Sequence, residues 1–331
     1  MKTLVALLIA ALVAGCESLS YYSQAIGGHF HLLAAARPID EWLADPTTPA
    51  DLKARLETAQ RIRGFASREL HLPDNRSYTS YADLGRRYAV WNVFAAPQFS
   101  VEPKPECFPL TGCVAYRGFF SEEDARRYAE GLRKEGYDVY VGGVLAYSTL
   151  GWFDDPLLST FIRYPDAQVA RLVFHELAHQ LVYARDDTTF NESFAVTVEE
   201  EGVRRWLEAQ QRTAELEAFR AGQQRKREFY ARVKETRERL KTIYASHLPR
   251  EAMLEQKRGE LERLRAAFPN VVPAEPNNAF LVSVALYTEL VPAFERLLAA
   301  SGGSLDKFYA RARELAHEDR AQREAVLARA N

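Results

Sequence analysis

Cysteine is scarce in this chain, with three in 331 residues. One, Cys16, closes an apolar amino-terminal stretch. The other two, Cys107 and Cys113, form a Cys-x5-Cys pair, which is neither a redox nor a zinc spacing. Neither sign of charge dominates: Lys and Arg together number 43, Asp and Glu 45. That balance lacks the basic excess of a nucleic-acid binder, so no nucleic-acid partner is expected. After the leader, no stretch is apolar over the roughly 20 residues a membrane helix needs. There is no internal repeat, and no low-complexity tract beyond charge-rich helix. What is present is apolar substance: 47% of residues are hydrophobic, enough for a sizeable core. Residues 16–331 are long enough for one large domain or two lobes.

The first residues read as a leader. Lys2 supplies positive charge, Leu4 to Val13 is an apolar run too short to span a bilayer, and small residues precede Cys16. Val13-Ala14-Gly15-Cys16 has the form of a bacterial lipobox, which predicts cleavage after residue 15 and lipid on Cys16. The alternative is an ordinary signal peptide with a coincidental cysteine. Glu17 rather than aspartate follows, so the expected location is the outer membrane, with the body facing the periplasm. In that oxidising compartment Cys107 and Cys113 are expected to form one disulfide.

The chemistry is concentrated in Arg171-Leu-Val-Phe-His-Glu-Leu-Ala-His-Gln-Leu181. Val169, Leu172, Val173, Leu177 and Leu181 recur at three- and four-residue steps, the rhythm of a buried helix. His175 and His179, four apart, share one face of that helix and can reach one metal ion. Glu176 can stand beside a water on that metal. His-Glu-x-x-His in this setting points to one zinc per chain with three protein ligands and an open position. The competing reading is a chance match, with two histidines satisfied in a core.

The third ligand must come from downstream. Arg185 to Thr188 breaks the apolar rhythm and ends the first helix, and a second helix is expected from near Phe190. Glu192 would sit in its first turn and swing back to the histidines. Thr189 and Glu192 also fit a capping box, so Glu192 could be a cap instead. Glu199 and Glu200, farther along, are second choices as ligands, and fit better as partners of the ligands or as solvated charges.

His-Glu-Leu-Ala-His-Gln followed by Phe-Asn-Glu-Ser-Phe-Ala resembles the gluzincins, the zinc peptidases whose third ligand is the glutamate of an Asn-Glu motif. More closely, the chain is similar to a group of bacterial lipoproteins described as predicted aminopeptidases. The resemblance implies a zincin-like α+β fold, mainly helical, with a small sheet before the motif helix and a long-helical C-terminal lobe. It implies a leader over residues 1–15, an N-terminal lobe over 16–195 holding the zinc site, and a C-terminal lobe over 196–331. It implies a lipid-anchored zinc peptide hydrolase with Glu176 as general base and His175, His179 and Glu192 on the metal. Two departures stand out. The gap from His179 to Glu192 is shorter than in the common gluzincins, and Val196 occupies the place of an aspartate that often follows the ligand glutamate.

Along the rest of the chain, residues 17–36 with His29 and His31 are expected to dock on the body or line its cleft. Leu52, Leu56, Ala59, Ile62, Phe65 and Leu70 mark a helix. Val90–Phe94 and Gln98–Val101 read as strands around Pro97, and Cys113–Phe120 as another. Ser121 opens a helix over Glu122–Lys134 that Gly136 ends. Tyr137–Tyr147 reads as a strand whose Gly142–Tyr147 part could offer an edge to a substrate backbone. Asp154 and Asp155 follow in a loop that could wall the cleft. Beyond Glu192 come long charged helices, with a protruding antiparallel pair one option. Asn277 to Ala300 reads as one buried helix, and Leu305 to Ala316 as one more.

Three readings of function remain. Tyr147, Tyr164 and Tyr183 are the nearby tyrosines that could stabilise an oxyanion, and sequence does not choose among them. An aminopeptidase also needs a carboxylate for the substrate amine. Gly142-Gly-Val-Leu-Ala146 carries no acid, which leaves Asp154 or Asp155 and keeps an endopeptidase open. A non-catalytic envelope scaffold, contacting peptidoglycan or an unknown envelope protein through its helices, is the third. An intact Glu176 argues against it, since a structural metal site has no use for a general base.

Overall fold

The computed structural model describes residues 21–108, 112–146 and 148–329. Cys16 and Tyr147 fall outside them. The fold is α+β and mainly helical. Its first half is helix α1 (21–34), β1 (Ala36–Pro38), α2 (Ile39–Ala44), α3 (Ala50–Arg68), β2 (Ser80–Ala82), β3 (Val90–Pro97), β4 (Glu106–Phe108), β5 (Gly112–Val114), β6 (Tyr116–Phe119), α4 (Glu122–Lys134), β7 (Tyr137–Val144) and β8 (Leu157–Leu158). The rest is helical: α5 (Asp166–Leu181), α6 (Thr188–Ala209), α7 (Thr213–Tyr244), α8 (Arg250–Ala267), α9 (Asn278–Leu286), α10 (Val291–Ala300), α11 (Leu305–His317) and α12 (Arg320–Arg329). All strands of the described residues precede α5. No helix among them is long and apolar enough to cross a membrane.

The sheet that serves the site has the order β6-β3-β7, with both pairings antiparallel. Its centre, β3, is buried from Val90 to Ala96, the near-continuous apolar strand expected when both faces are covered. Alternation divides its side chains. Trp91, Val93 and Ala95 pack against Ala125, Ala129 and Leu132 of α4. Phe94 and Ala96 pack against Ala279, Val282 and Leu286 of α9. Asn92 shares the parity of Phe94 and Ala96, and so is carried to the α9 side, where the site lies. Helix α4 begins where its cap predicts, with Ser121 Oγ accepting from the Asp124 N–H at 3.2 Å.

The structure departs from the local expectations at five places. Gln98–Val101 is a turn rather than a strand: Pro97 is the last paired residue of β3, and the Ser100 N–H donates to the Pro97 carbonyl at 3.1 Å. Cys113–Phe120 splits into β5 and β6, which belong to different sheets, because β5 folds back on β4. Cys107 and Cys113 are partners in that hairpin and are disulfide-bonded. The segment after Asn277 is two helices, with a break at 287–290. Helix α12 was not anticipated at all. The α7–α8 pair does not protrude freely either, since Phe229, Val233, Leu240, Leu261 and Leu264 pack with Phe280 and Leu281 of α9.

The main core is organised on α5 and α6. Phe174 of α5 meets Phe65 of α3, ring centroids 6.2 Å apart. On α6, Phe194 meets Phe294 at 5.8 Å and Phe308 at 5.6 Å, tying in α10 and α11. Gly202 allows the close approach of α5 and α6: a Cβ there would stand 2.7 Å from Phe174 and 2.8 Å from Leu70. The lobe boundary expected at 195/196 falls inside α6, and the core around it draws residues from Leu32 to Leu327.

Candidate metal centre

Pro165, extended at φ −53° and ψ 144°, sets the start of α5, and the chain leaves the helix at extended Val182. Only residues 182–187 then separate α5 from α6. Asn191 makes so tight a turn possible. Its Oδ1 accepts from the Ala184 N–H at 2.7 Å and its Nδ2 donates to the Ala184 carbonyl at 2.8 Å, clamping the turn onto the helix. Asp187 caps α6, accepting from the Phe190 N–H at 3.0 Å, and is itself held by Arg323 at 3.0 Å. The capping box proposed for Thr189 and Glu192 is therefore not formed. The helix starts one residue earlier than Thr189, Asp187 is its cap, and Glu192 is free for another role.

That role is geometric. His175 Nε2 and His179 Nε2 are 3.1 Å apart. Glu192 Oε2 stands 3.3 Å from the first and 3.5 Å from the second. Ligands at about 2.0–2.2 Å from a tetrahedral zinc would stand about 3.3–3.6 Å from one another. Three buried donors thus occupy nearly the corners that one metal ion requires, and they form the one such group among the described residues. Glu192 Oε2 is buried without a hydrogen-bond partner in the protein. Its nearest partners are the two imidazoles, without hydrogen-bond alignment, and a cation between the three would satisfy the buried oxygen. The residues present fit a metal.

Behind the triangle lies a second carboxylate. Glu199 Oε2 is 2.9 Å from His175 Nδ1, an ion-pair distance without hydrogen-bond alignment. Arg171, one turn before His175, holds the same carboxylate at 3.0 Å. Glu199 is thus a partner of a candidate ligand rather than a ligand, and it does the work for which Val196 is unsuited. Glu200 points elsewhere, into a separate groove with Lys226 and Tyr230. The charges are mutually tuned. Burial alone would lower the His175 pKa, but Glu192 and Glu199 outweigh it and push the value up to about 10. Burial would raise Glu192, yet His179 and His175 hold it at about 2. Glu199 is likewise held at about 2 against burial, by Arg171 and His175. Glu176 differs: burial raises its pKa, offset only in part by the two histidines.

His175, Glu176, His179 and Glu192 line a cavity of about 290 Å³, which Glu199 does not reach. Asn92, Tyr116, Gly118, Val144, Ala146 and Ser148 form its sheet side, and Tyr21 and Ala25 of α1 close one wall. Residues 17–36 were expected to dock or line the cleft, and their described part does both: Gln24 Oε1 accepts from the Phe120 N–H at 3.1 Å. Of the Gly142–Tyr147 edge, only Val144 and Ala146 reach the cavity among described residues.

Among the tyrosines, Tyr183 lines the cavity, whereas Tyr164 is exposed outside it. Two that sequence reasoning missed are better placed. Tyr287 stacks on His175 with ring centroids 6.4 Å apart, and Tyr116 joins it in the wall. Burial first, then the charge of Glu192, raises both phenols well above their ordinary pKa, so both stay protonated and can donate. No local signal marks them: one ends a helix about 110 residues past the motif, and the other sits on a four-residue strand. Asp154 and Asp155 are not brought to the cavity. Asp154 faces Arg76 at 3.4 Å on the surface. Asp155 accepts from Thr149 N–H at 3.0 Å and Thr149 Oγ1 at 2.8 Å, bracing its own loop.

This arrangement suits a divalent ion with an open coordination position facing a cavity, and a carboxyl beside it able to carry a proton. Glu199→Gln tests the supporting layer. It keeps the shape but removes the charge that orients His175, so metal affinity should fall about 10–100-fold, with the fold retained. Competition against a chromophoric chelator measures it. No curated protein and no solved structure matches the chain. The family model described as "Putative aminopeptidase" matches residues 20–327, and the chain belongs to that family.

Proposed function

We propose that this protein is a zinc-dependent peptide hydrolase of the gluzincin type, carried on a lipid at Cys16 and facing the periplasm from the outer membrane. The observation that carries the reading is the triangle of His175, His179 and Glu192 with Glu176 beside it in one cavity. Two imidazoles and one carboxylate with an open position make the donor set of catalytic zinc. Zinc held there acidifies water and acts as a Lewis acid towards a peptide carbonyl.

The chain's own residues do the rest. Glu176, its pKa raised by burial, takes the proton of the attacking water and delivers it to the departing amine. Tyr116 and Tyr287 donate hydrogen bonds to the carbonyl oxygen as negative charge develops on it. The apolar wall of Val90, Val114, Val144 and Leu150 excludes bulk water and strengthens each of these interactions.

The family description favours cleavage from the amino terminus. One observation favours internal cleavage instead. Among the described residues, the only carboxylates lining the cavity are Glu176 and Glu192, and both have other work. The described residues offer no third acid there to pair with a free substrate amine. A peptide library with free amino termini, set beside the same library acetylated, separates the two. Release of single residues from free peptides alone supports the aminopeptidase. Internal cleavage of acetylated peptides supports the endopeptidase. If zinc-loaded protein cuts neither, the hydrolase reading fails and the scaffold reading replaces it.

A further inference from the structure

Large apolar side chains on the surface of this protein are few, and they are gathered. Eight are exposed among the described residues, and Tyr22, Ile26, Phe30, Trp152 and Phe153 account for five of them. The first three stand four apart on α1 and form one stripe along its outer face. The other two come from the loop after residue 150. The two segments meet: the Phe30 and Phe153 rings are 6.5 Å apart, and the His29 and Phe153 rings 4.5 Å. Trp152, at 75% exposure, is the most exposed of the eight.

The composition of α1 is as telling as the patch. Charged residues make up 27% of the chain, yet none of Asp, Glu, Lys or Arg occurs from 21 to 36. The exposed positions of the helix are Tyr22, Ser23, Ile26, Gly27, Phe30, His31 and Ala34. A helix that showed this face only to water would be expected to carry charge there. The inner face is already engaged, with Tyr21 on Phe119 and Gln24 on Phe120. The outward stripe is therefore not needed for folding onto the body.

We propose that this patch is a membrane-docking surface: α1 lies against the lipid with Tyr22, Ile26 and Phe30 turned into it, and Trp152 and Phe153 enter beside them. Position supplies the occupant. Cys16, the lipobox cysteine, precedes Tyr21 by five residues, and a chain of that length reaches at most about 18 Å. A bilayer holding the Cys16 lipid is thus within reach of the stripe, whereas a protein partner has no such reason to be present. An apolar helix face with neighbouring Trp and Phe is the form that settles about 5–10 Å into the headgroup boundary. One lipid group and one apolar patch together give the two attachments that stable membrane residence requires. The docked segments also supply Tyr21, Ala25 and Leu150 to the cavity wall, so docking orients the cavity relative to the lipid. The proposal rests on the lipid proposed for Cys16 and not on the peptidase reading.

The test uses the mature chain purified from membranes and placed in phosphatidylethanolamine–phosphatidylglycerol vesicles, with and without brominated acyl chains. Trp152 is the one exposed tryptophan of the four, so it is the one that lipid can reach. The expected result is quenching by brominated lipid that disappears in Trp152→Phe and falls at least severalfold in the double variant Ile26→Ser with Phe30→Ser. Circular dichroism of the double variant should match the wild type, because both side chains are exposed. Equal fluorescence in both kinds of vesicle would overturn the proposal, as would protein that does not stay with vesicles. So would a cross-linked dimer that the double variant abolishes while Trp152 stays unquenched, since the patch would then join two copies of the chain.

Discussion

Glu176→Gln is expected to hold its metal at wild-type stoichiometry and to lose about 10²–10⁴-fold in peptide hydrolysis, the usual contribution of a general base. The substitution is nearly isosteric, and the three converging donors are His175, His179 and Glu192, so the site should survive. The glutamine cannot accept a proton from water. Burial has already moved the glutamate carboxyl towards the pH at which it can both take and give a proton, so the loss should fall mainly on kcat. Metal content and turnover are measured on the same preparation. Retained turnover at full metal occupancy would remove Glu176 from the mechanism. Loss of metal alongside activity would make it a ligand or a structural residue.

Glu192→Gln should do the reverse. It keeps the volume and replaces an anionic oxygen by an amide, leaving two imidazoles to hold the ion. Metal affinity should fall by more than the roughly 100-fold that marks the upper range for residues supporting a ligand. The helix should not suffer, because its cap is Asp187 and not the Thr189–Glu192 pair. Had Glu192 been a cap, the variant would cost about 0.5–2 kcal/mol of stability and leave metal binding intact. Metal affinity and denaturant midpoint, measured together, separate the two accounts. A full metal complement in Glu192→Gln would contradict the ligand assignment.

The contrast between these residues shows what a linear reading could reach. His175, Glu176 and His179 were legible because helical periodicity fixes their relation within four residues. Glu192 was legible as the candidate third ligand, although a threonine three residues earlier offered a capping box as the local alternative. The alternative failed on a contact from Arg323, which braces Asp187 as the cap from far along the chain. Glu199 was visible as a partner of the ligands. The link to Arg171 became visible only when α5 and α6 lay side by side, since 28 residues separate the two.

Tyr287 and Tyr116 were out of reach for the same reason. Their place depends on α9 packing over β3, a long-range contact with no local period. The buried run from Asn277 looked like one helix because apolar periodicity persists through it. The break at 287–290 that turns Tyr287 over His175 leaves no sequence mark beyond Pro292 at the start of the next helix. Ser121 and Gly136, by contrast, bounded α4 correctly, because caps are local chemistry.

The proposed peptide hydrolysis requires one metal ion at His175, His179 and Glu192. Stripping the protein with a chelator and titrating zinc back while following peptide cleavage tests it most directly. The expected result is no cleavage by the stripped protein, a rise in proportion to added zinc, and a break at one equivalent per chain. Cleavage that survives complete metal removal, or a zinc-saturated protein that cleaves no peptide, would contradict it.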